Sequence, residues 1–402
     1  MKVTIAPSKA NGCAIAPPSK SMAHRMLMGA GLAEGTSVVD NITLSEDIKA
    51  TLGMLEALGG QYKIEDHKVI IQGIGGKRLQ TNQTLNSNES GSTLRFFIPL
   101  LLSGGGLAEF TGAKRLFERP LDIYEEICDE QGILFQKHET GLTVEGKLQA
   151  GHFKVKGNIS SQFITGLLFA LPLLEKDSVL EMLPPVESRT YIDMTLETLD
   201  TFGIQVKQDG NTFYIAGNQT YQAKDVTVEG DYSNAAFLEA LNLIGGNVMV
   251  EGLREDTLQG DQIYKRYYQV LKEVYPVMDL AECPDLGPIL MGMAATANGA
   301  RFTGTARLRI KESDRGTVMA EELAKFGIRV EVMENEIVVH KGTMEKPKEV
   351  LNSHNDHRIA MTLATLCTIT GGTIDGAESV RKSFPDYYDV IENLGVHITR
   401  EV

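Results

Sequence analysis

Nowhere in the 402 residues do ~18 apolar side chains follow one another without interruption, the length a bilayer demands of a spanning helix, so no transmembrane helix is expected. The start, Met1-Lys2-Val3-Thr4-Ile5-Ala6-Pro7, lacks the charged head and apolar run of a secretory signal and reads as a short strand. Cysteine is scarce. Cys13, Cys128, Cys283 and Cys367 are widely scattered and form no Cys-x-x-Cys pair, which argues against a zinc site or a disulfide framework and fits a reducing cytoplasm. An excess of basic charge is missing too: 53 acidic residues face 39 lysines and arginines, a net charge of −14. Such a chain repels phosphate backbones, so nucleic acid is not an expected partner. Any anionic ligand must be drawn by locally clustered cations, because the overall field opposes it.

What is present is an ordinary globular composition, 42% apolar and 23% charged. The length exceeds the ~250–300 residues that one core usually serves, which predicts two domains. Five segments share a pattern of amphipathic helix, glycine and alternating strand, with the glycine at Gly59, Gly132, Gly203, Gly327 and Gly395. Each glycine falls where a helix end needs a left-handed residue without a Cβ penalty. Their spacings are 73, 71, 124 and 68 residues, and the long gap holds a degenerate copy at Lys272-Glu273-Val274-Tyr275-Pro276-Val277 that has lost its glycine. Six units result.

After four of these glycines a second strand follows the first, at Val69-Ile70-Ile71, Leu142-Thr143-Val144, Phe213-Tyr214-Ile215 and Ile337-Val338-Val339, across polar turns that predict β-hairpins. The last unit ends without its second strand, and Lys2-Val3-Thr4-Ile5 has the missing pattern. The N-terminal strand is therefore expected to complete the final unit. Residues 1–13 with 228–402 then form one discontinuous domain, and 14–227 an inserted one.

Between the units lie Gly-, Ser- and Pro-rich loops, where function concentrates on a repeated scaffold. Pro17-Pro18-Ser19-Lys20-Ser21-Met22-Ala23-His24-Arg25 precedes an apolar helical run at 26–32; hydroxyls and free amides there suit an anion, as well as a plain helix cap. In Asn88-Glu89-Ser90-Gly91-Ser92-Thr93-Leu94-Arg95-Phe96, small residues let backbone amides approach a ligand, and Arg95 among apolar neighbours needs an anion or an escape to solvent. Arg119 stands in Glu118-Arg119-Pro120. Ser160-Ser161-Gln162 and Ser188-Arg189-Thr190-Tyr191 open helices and read first as caps, as does Asp285 in Pro284-Asp285-Leu286-Gly287-Pro288. Lys311-Glu312-Ser313-Asp314-Arg315 reads first as a solvated loop. His354, Asp356 and His357 suggest metal only weakly, since their spacing matches no zinc signature; no metal or cofactor is expected. Lys382 follows Arg381.

Each loop has a bland explanation, but their shared position does not. Lys20, Arg95, Arg119, Lys311, Arg315, Arg358 and Lys382 all lie in or beside unit-connecting loops. Two unit charges at 4 Å interact by ~4 kcal/mol at an effective dielectric of 20, so gathering cations calls for a neutralising anion. A site for polyanionic metabolites is predicted, with domain closure on binding.

Together, in order from Pro17 to Pro385, these loops resemble those of the EPSP synthases, the 3-phosphoshikimate 1-carboxyvinyltransferases of the enolpyruvyl transferase family. The resemblance rests on Ser19-Lys20-Ser21…Arg25, Gly91…Arg95, Glu118-Arg119-Pro120, Ser160-Ser161-Gln162, Pro284-Asp285, Lys311-Glu312-Ser313-Asp314-Arg315, Asp356-His357-Arg358 and Lys382-Ser383-Phe384-Pro385. It implies an α/β fold, a two-domain inverse α/β prism of six βαβαββ units, three per domain, with the active site in the interdomain cleft. It also implies transfer of the enolpyruvyl group of phosphoenolpyruvate to the 5-hydroxyl of shikimate 3-phosphate, on the shikimate pathway to chorismate and the aromatic amino acids, by a monomer. Carried over residue by residue, Lys20, Ser21, Arg25, Ser160, Ser161, Gln162, Ser188, Asp285 and Lys311 would bind shikimate 3-phosphate. Lys20, Gly91, Arg119, Gln162, Arg315, Arg358 and Lys382 would bind phosphoenolpyruvate, with Arg95 in support. Asp285 as base, Glu312 as acid and Lys20 would carry the catalysis, although Lys311 and Arg315 beside Glu312 favour its charged form.

The sequence departs from the pattern at Glu89-Ser90-Gly91-Ser92, where many family members carry Asn-Ala-Gly-Thr; a carboxylate there weakens anion binding unless it points away. Two other readings compete. UDP-N-acetylglucosamine enolpyruvyl transferase, of the same fold, typically has Lys-Asn where Lys20-Ser21 stands, and a loop cysteine that Cys13 and Cys128 do not match. A non-catalytic metabolite sensor would lack Asp285 and Glu312.

Overall fold

A computed structural model describes residues 1–75 and 83–401. The chain divides into two compact units, residues 1–19 with 230–402, and residues 20–229. Among the described residues no helix is long and apolar enough to cross a membrane.

Each unit is built from small sheets of one design. In the 20–229 unit, His152–Lys156 pairs parallel with Ser178–Leu183, which pairs antiparallel with Thr212–Ile215, itself the inner partner of Val206–Asp209. Gln83–Asn86, Gly106–Thr111, Gly141–Gly146 and Leu134–His138 repeat that order, as do Val226–Thr227, Thr36–Asp40, Lys68–Gln72 and Gln61–Glu65. Alternation along the inner strands fixes the register: Val69 and Ile71, or Phe213 and Ile215, point into the core while their neighbours face out. Strands pair across the hairpins predicted after Gly59, Gly132 and Gly203, and all five repeat glycines take positive φ, from 67° at Gly132 to 99° at Gly59.

The other unit holds two sheets of the same order. One joins Val277–Asp279, Ala300–Thr303, Glu336–Val339 and Val330–Val332; the other joins Leu351–Asn352, Gly372–Asp375, Lys2–Ile5 and Ile398–Glu401. Lys2–Ile5 thus lies between the two C-terminal strands, with Val3 and Ile5 in the core. The remaining sheet corrects the sequence reading. Asn11–Ile15 and Asn247–Glu251 form a parallel pair alone, without a hairpin. Val277, read as the strand end of the degenerate copy, opens the next sheet instead, and Tyr275 turns the chain with φ 53° where the sister units use glycine.

Each unit has its own apolar core, formed by the buried faces of helices that cross over between parallel strands. In the 20–229 unit the helices Gly91–Gly104 and Ser161–Ala170 approach so closely that a Cβ on Gly166 would stand 2.3 Å from the Arg95 carbonyl oxygen. Pro99 has no N–H to give that carbonyl, and the Tyr124 hydroxyl donates to it instead at 2.7 Å. This contact sets where Arg95 and Gln162 emerge.

Candidate functional site

In the 20–229 unit the predicted ligands lie at or near the starts of four helices, except Arg119, which follows the short helix Lys114–Glu118 at its C-terminal end. The helix Lys20–Leu32 starts earlier than the apolar run suggested, so Lys20 and Ser21 are in its first turn rather than in the loop before it. The Lys20 ammonium lies 2.9 Å from Asp47. Arg25 is buried and ties three helices together: Nε donates to Thr195 Oγ1 at 2.9 Å, Nη1 to the Ser21 carbonyl at 2.7 Å, and Nη2 to the Tyr191 carbonyl at 2.9 Å and Thr165 Oγ1 at 3.3 Å. All four acceptors are neutral. Burial pulls the guanidinium down to about 10, which leaves it charged at neutral pH.

Ser160 caps the helix Ser161–Ala170 by accepting from the Gln162 amide, as a plain cap would. Ser188 precedes Arg189–Thr201 in a left-handed conformation, φ 54°, and makes no side-chain cap there. Non-glycine residues held so cost energy and cluster at binding sites. The Gln162 side chain accepts from Arg95 Nη1 at 2.8 Å and donates to Ser92 Oγ at 2.9 Å, so Arg95 is resolved by amide and carbonyl partners rather than by solvent. Gly91 opens its helix directly under Arg119: a Cβ there would stand 2.7 Å from Nη1. A buried chain of hydroxyls, Thr51 to Thr93 at 2.8 Å and Thr93 to Ser90 at 2.7 Å, runs from the His24 ring to that helix start. Burial first, then Lys20 and Arg25, hold His24 well below its usual range, so the ring is neutral. Glu89, the departure from the family pattern, is half-buried beside this turn.

The 1–19 with 230–402 unit concentrates the opposite kind of partner. Asp285 does not cap the following helix; Pro284–Leu286 is a single tight turn, and the carboxylate takes three cations. Oδ1 receives Lys311 at 3.1 Å and Arg315 Nη1 at 2.8 Å, and Oδ2 receives Arg358 Nη2 at 2.9 Å. Burial pushes the Asp285 carboxyl up, but Arg358, Lys311 and Arg315 together hold it well below the usual carboxylate range. Burial likewise pulls Lys311 down, to about 8, against the opposing pull of Asp285.

The run Lys311 to Arg315 is not a solvated loop. Arg315 is 1% exposed; Nε donates to Asp356 at 2.8 Å and Nη2 to Glu312 at 2.9 Å. Asp356 caps the helix His357–Thr370 through the Arg358 amide and also receives the Ser313 hydroxyl. Lys382 is buried with its ammonium on the Asn355 carbonyl. His354 turns to Glu322 at 2.9 Å while Asp356 serves Arg315, so this trio does not converge as metal ligands; among the described residues no group of three candidate ligands does.

The sequence reading asked what anion neutralises the cations and overlooked the carboxylates that already do so, Asp356 in this unit and Asp47 in the other. Asp231 and Asp261 were missed as well. Asp231 caps Tyr232–Leu243, and Ser233 on that helix accepts from Arg358 Nη1 at 2.6 Å. A Gly-Asp pair just ahead of a helix occurs twice, at Gly230-Asp231 before Tyr232–Leu243 and at Gly260-Asp261 before Tyr264–Val270, and was the available signal.

The family model for EPSP synthase (3-phosphoshikimate 1-carboxyvinyltransferase) matches residues 5–391. The chain belongs to the EPSP synthase family. The 3-phosphoshikimate 1-carboxyvinyltransferase of Clostridium novyi (strain NT) is 39% identical to it over 98% of this chain and 97% of its own length. That of Clostridium kluyveri is 40% identical over 98% of both chains. A solved EPSP synthase from Acinetobacter baumannii, at 24% identity, shares the fold with a TM-score of 0.80 over the full length of both chains. The mixed α/β architecture of small sheets is that of the EPSP synthase family, and an alternative assignment within the enolpyruvyl transferases is not favoured.

Proposed function

We propose that this chain is the transferase its relatives are named for, moving the enolpyruvyl group of phosphoenolpyruvate to the 5-hydroxyl of shikimate 3-phosphate with release of phosphate. The observation that carries the reading is the trio of Lys311, Arg315 and Arg358 around Asp285, with Glu312 on the far arm of Arg315. It supplies a carboxylate base, a second carboxyl group and cations matched to a phosphorylated carboxylate.

Lys20, Ser21, Arg25, Ser160, Ser161, Gln162, Ser188, Asp285 and Lys311 bind shikimate 3-phosphate. Arg25 suits this, being a buried guanidinium with neutral acceptors only. Lys20, Gly91, Arg119, Gln162, Arg315, Arg358 and Lys382 bind phosphoenolpyruvate. In the reaction Glu312 gives a proton to the methylene carbon while Asp285 takes the proton of the attacking hydroxyl. The tetrahedral adduct loses phosphate, whose departing charge the guanidinium groups stabilise, and the methyl group returns a proton. Asp285, as it stands, is a poor base because three cations hold its charge. Phosphoenolpyruvate draws Arg315 and Arg358 toward itself, and the carboxylate gains basicity as they leave.

The protein acts as a cytoplasmic monomer on small molecules, without nucleic acid. The test is phosphate release from phosphoenolpyruvate with either shikimate 3-phosphate or UDP-N-acetylglucosamine as acceptor. Release with the first alone is expected; release with the nucleotide sugar alone overturns the assignment.

A further inference from the structure

The unit that holds Asp285 gathers five carboxyl groups, Asp231, Asp261, Asp285, Glu312 and Asp356, against five cations, Arg307, Lys311, Arg315, Arg358 and Lys382. With every group ionised the cluster has no net positive charge to offer a further anion. A carboxyl group that gives up its charge eases the ligand's entry.

Asp285, Glu312 and Asp356 receive guanidinium groups directly. Asp261 is placed differently. It lies in the tight turn Gly260–Ile263, 4% exposed, and hydrogen-bonds the Ser233 hydroxyl. Ser233 Oγ already accepts from Arg358 Nη1 at 2.6 Å, so its own proton is directed at Asp261. The other arm of Arg358, Nη2, holds Asp285. Arg358 is therefore strung between the two carboxyl groups, one reached directly and one through a serine. The groups facing Asp261 are Asp231 and Ser233 at the start of Tyr232–Leu243, Cys283 and Asp285 at the 283–286 turn, and Arg358 of His357–Thr370.

We propose that Asp261 is a positioning residue that takes up a proton when an anionic substrate occupies Arg358, and that holds Arg358 in place through Ser233. The proposal rests on the phosphoenolpyruvate role given to Arg358 above. Burial, and after it the Asp285 carboxylate, push the Asp261 carboxyl up to about 7; Arg358 and Ser233 pull the other way, and Asp231 adds to the rise. An anion on Arg358 brings negative charge toward Asp261 and raises its proton affinity further. By linkage, the protonated form binds the anion more tightly.

The test is the KM for phosphoenolpyruvate of the full-length protein between about pH 7 and 9, above the second phosphate ionisation near ~6. In the wild type it rises with pH, by up to about tenfold per unit for one linked proton. Asp261→Asn, an uncharged mimic of the protonated acid, flattens the rise with a smaller effect on kcat, and Asp261→Ala raises KM at every pH. The same rise in Asp261→Asn as in the wild type overturns the proposal. Should that variant not fold, calorimetry of phosphoenolpyruvate binding to the wild type, in two buffers of different ionisation heat at pH 7.5, decides. Net uptake approaching one proton supports the proposal, and none overturns it. A wild type with no turnover on shikimate 3-phosphate defeats the functional reading instead, a separate result.

Discussion

The Arg315 guanidinium lies 2.8 Å from Asp285 through Nη1 and 2.8 Å from Asp356 through Nε, so one side chain joins the proposed base to a wholly buried anchor. Asp356 also caps His357–Thr370 and holds Ser313. Asp356→Ala removes the cap and one of the three carboxylates that hold the buried Arg315, for which about 2–4 kcal/mol of stability is lost. Asp356→Asn, which keeps a capping oxygen, loses less. Urea denaturation of the three proteins measures the difference.

Gly91 sits against the Arg119 guanidinium, where a Cβ would come within 2.9 Å of Nη1, Nη2 and Cζ. The obstacle is the far end of a flexible side chain, so Gly91→Ala moves Arg119 rather than the helix. Stability changes by less than about 1 kcal/mol, as for substitutions that leave the core intact. KM for phosphoenolpyruvate rises, by about tenfold if roughly 1.4 kcal/mol of binding is lost. Steady-state kinetics beside a melting curve separates the two effects.

Ile5 is buried between the strands Gly372–Asp375 and Ile398–Glu401, at the opposite end of the chain from both. Ile5→Ala leaves a cavity in that sheet and costs about 2–5 kcal/mol. Denaturant unfolding followed by hydrogen exchange shows the loss in residues 351–401, not only near the N-terminus.

Burial raises the Asp285 carboxyl, yet its three cations win and hold it well below the ordinary value. The folded state therefore binds that proton less tightly than the unfolded chain. The stability it brings is fully present above the ordinary aspartate pKa of ~3.9, and is lost as pH falls through the lower folded value. Asp285→Asn accordingly lowers the melting temperature more at pH 7 than at pH 3. Equal losses at both would mean that the charge of Asp285 is not what the cations hold.

Much of this architecture was legible because its signals are local. A helix end that needs a left-handed residue selects glycine, and five such ends disclosed the repeat. Strand alternation then located the hairpins and paired Lys2–Ile5 with the last unit. The fourth unit was misread because the apolar Val277 looks the same whether it closes one sheet or opens the next; pairing with Ala300–Thr303, a nonlocal event, decides. At the site, cations announced themselves by lying in loops. Their partners did not: an aspartate ahead of a helix, such as Asp356 or Asp231, reads as a cap whether or not a guanidinium also needs it. Asp285 failed the other way, since nothing in Pro284-Asp285 tells that its carboxylate abandons the helix start for three cations.

Proton transfer to the methylene carbon by Glu312, opposite Asp285 as base, is the step on which the proposed chemistry depends. Running the reaction in deuterium oxide and weighing the enolpyruvyl product by mass spectrometry tests it directly. The wild type should place solvent deuterium in the product methylene, while Glu312→Gln should still bind both substrates but turn over ~10²–10⁴-fold more slowly. Product formed by the wild type without deuterium, or a wild-type rate in Glu312→Gln, would contradict the account.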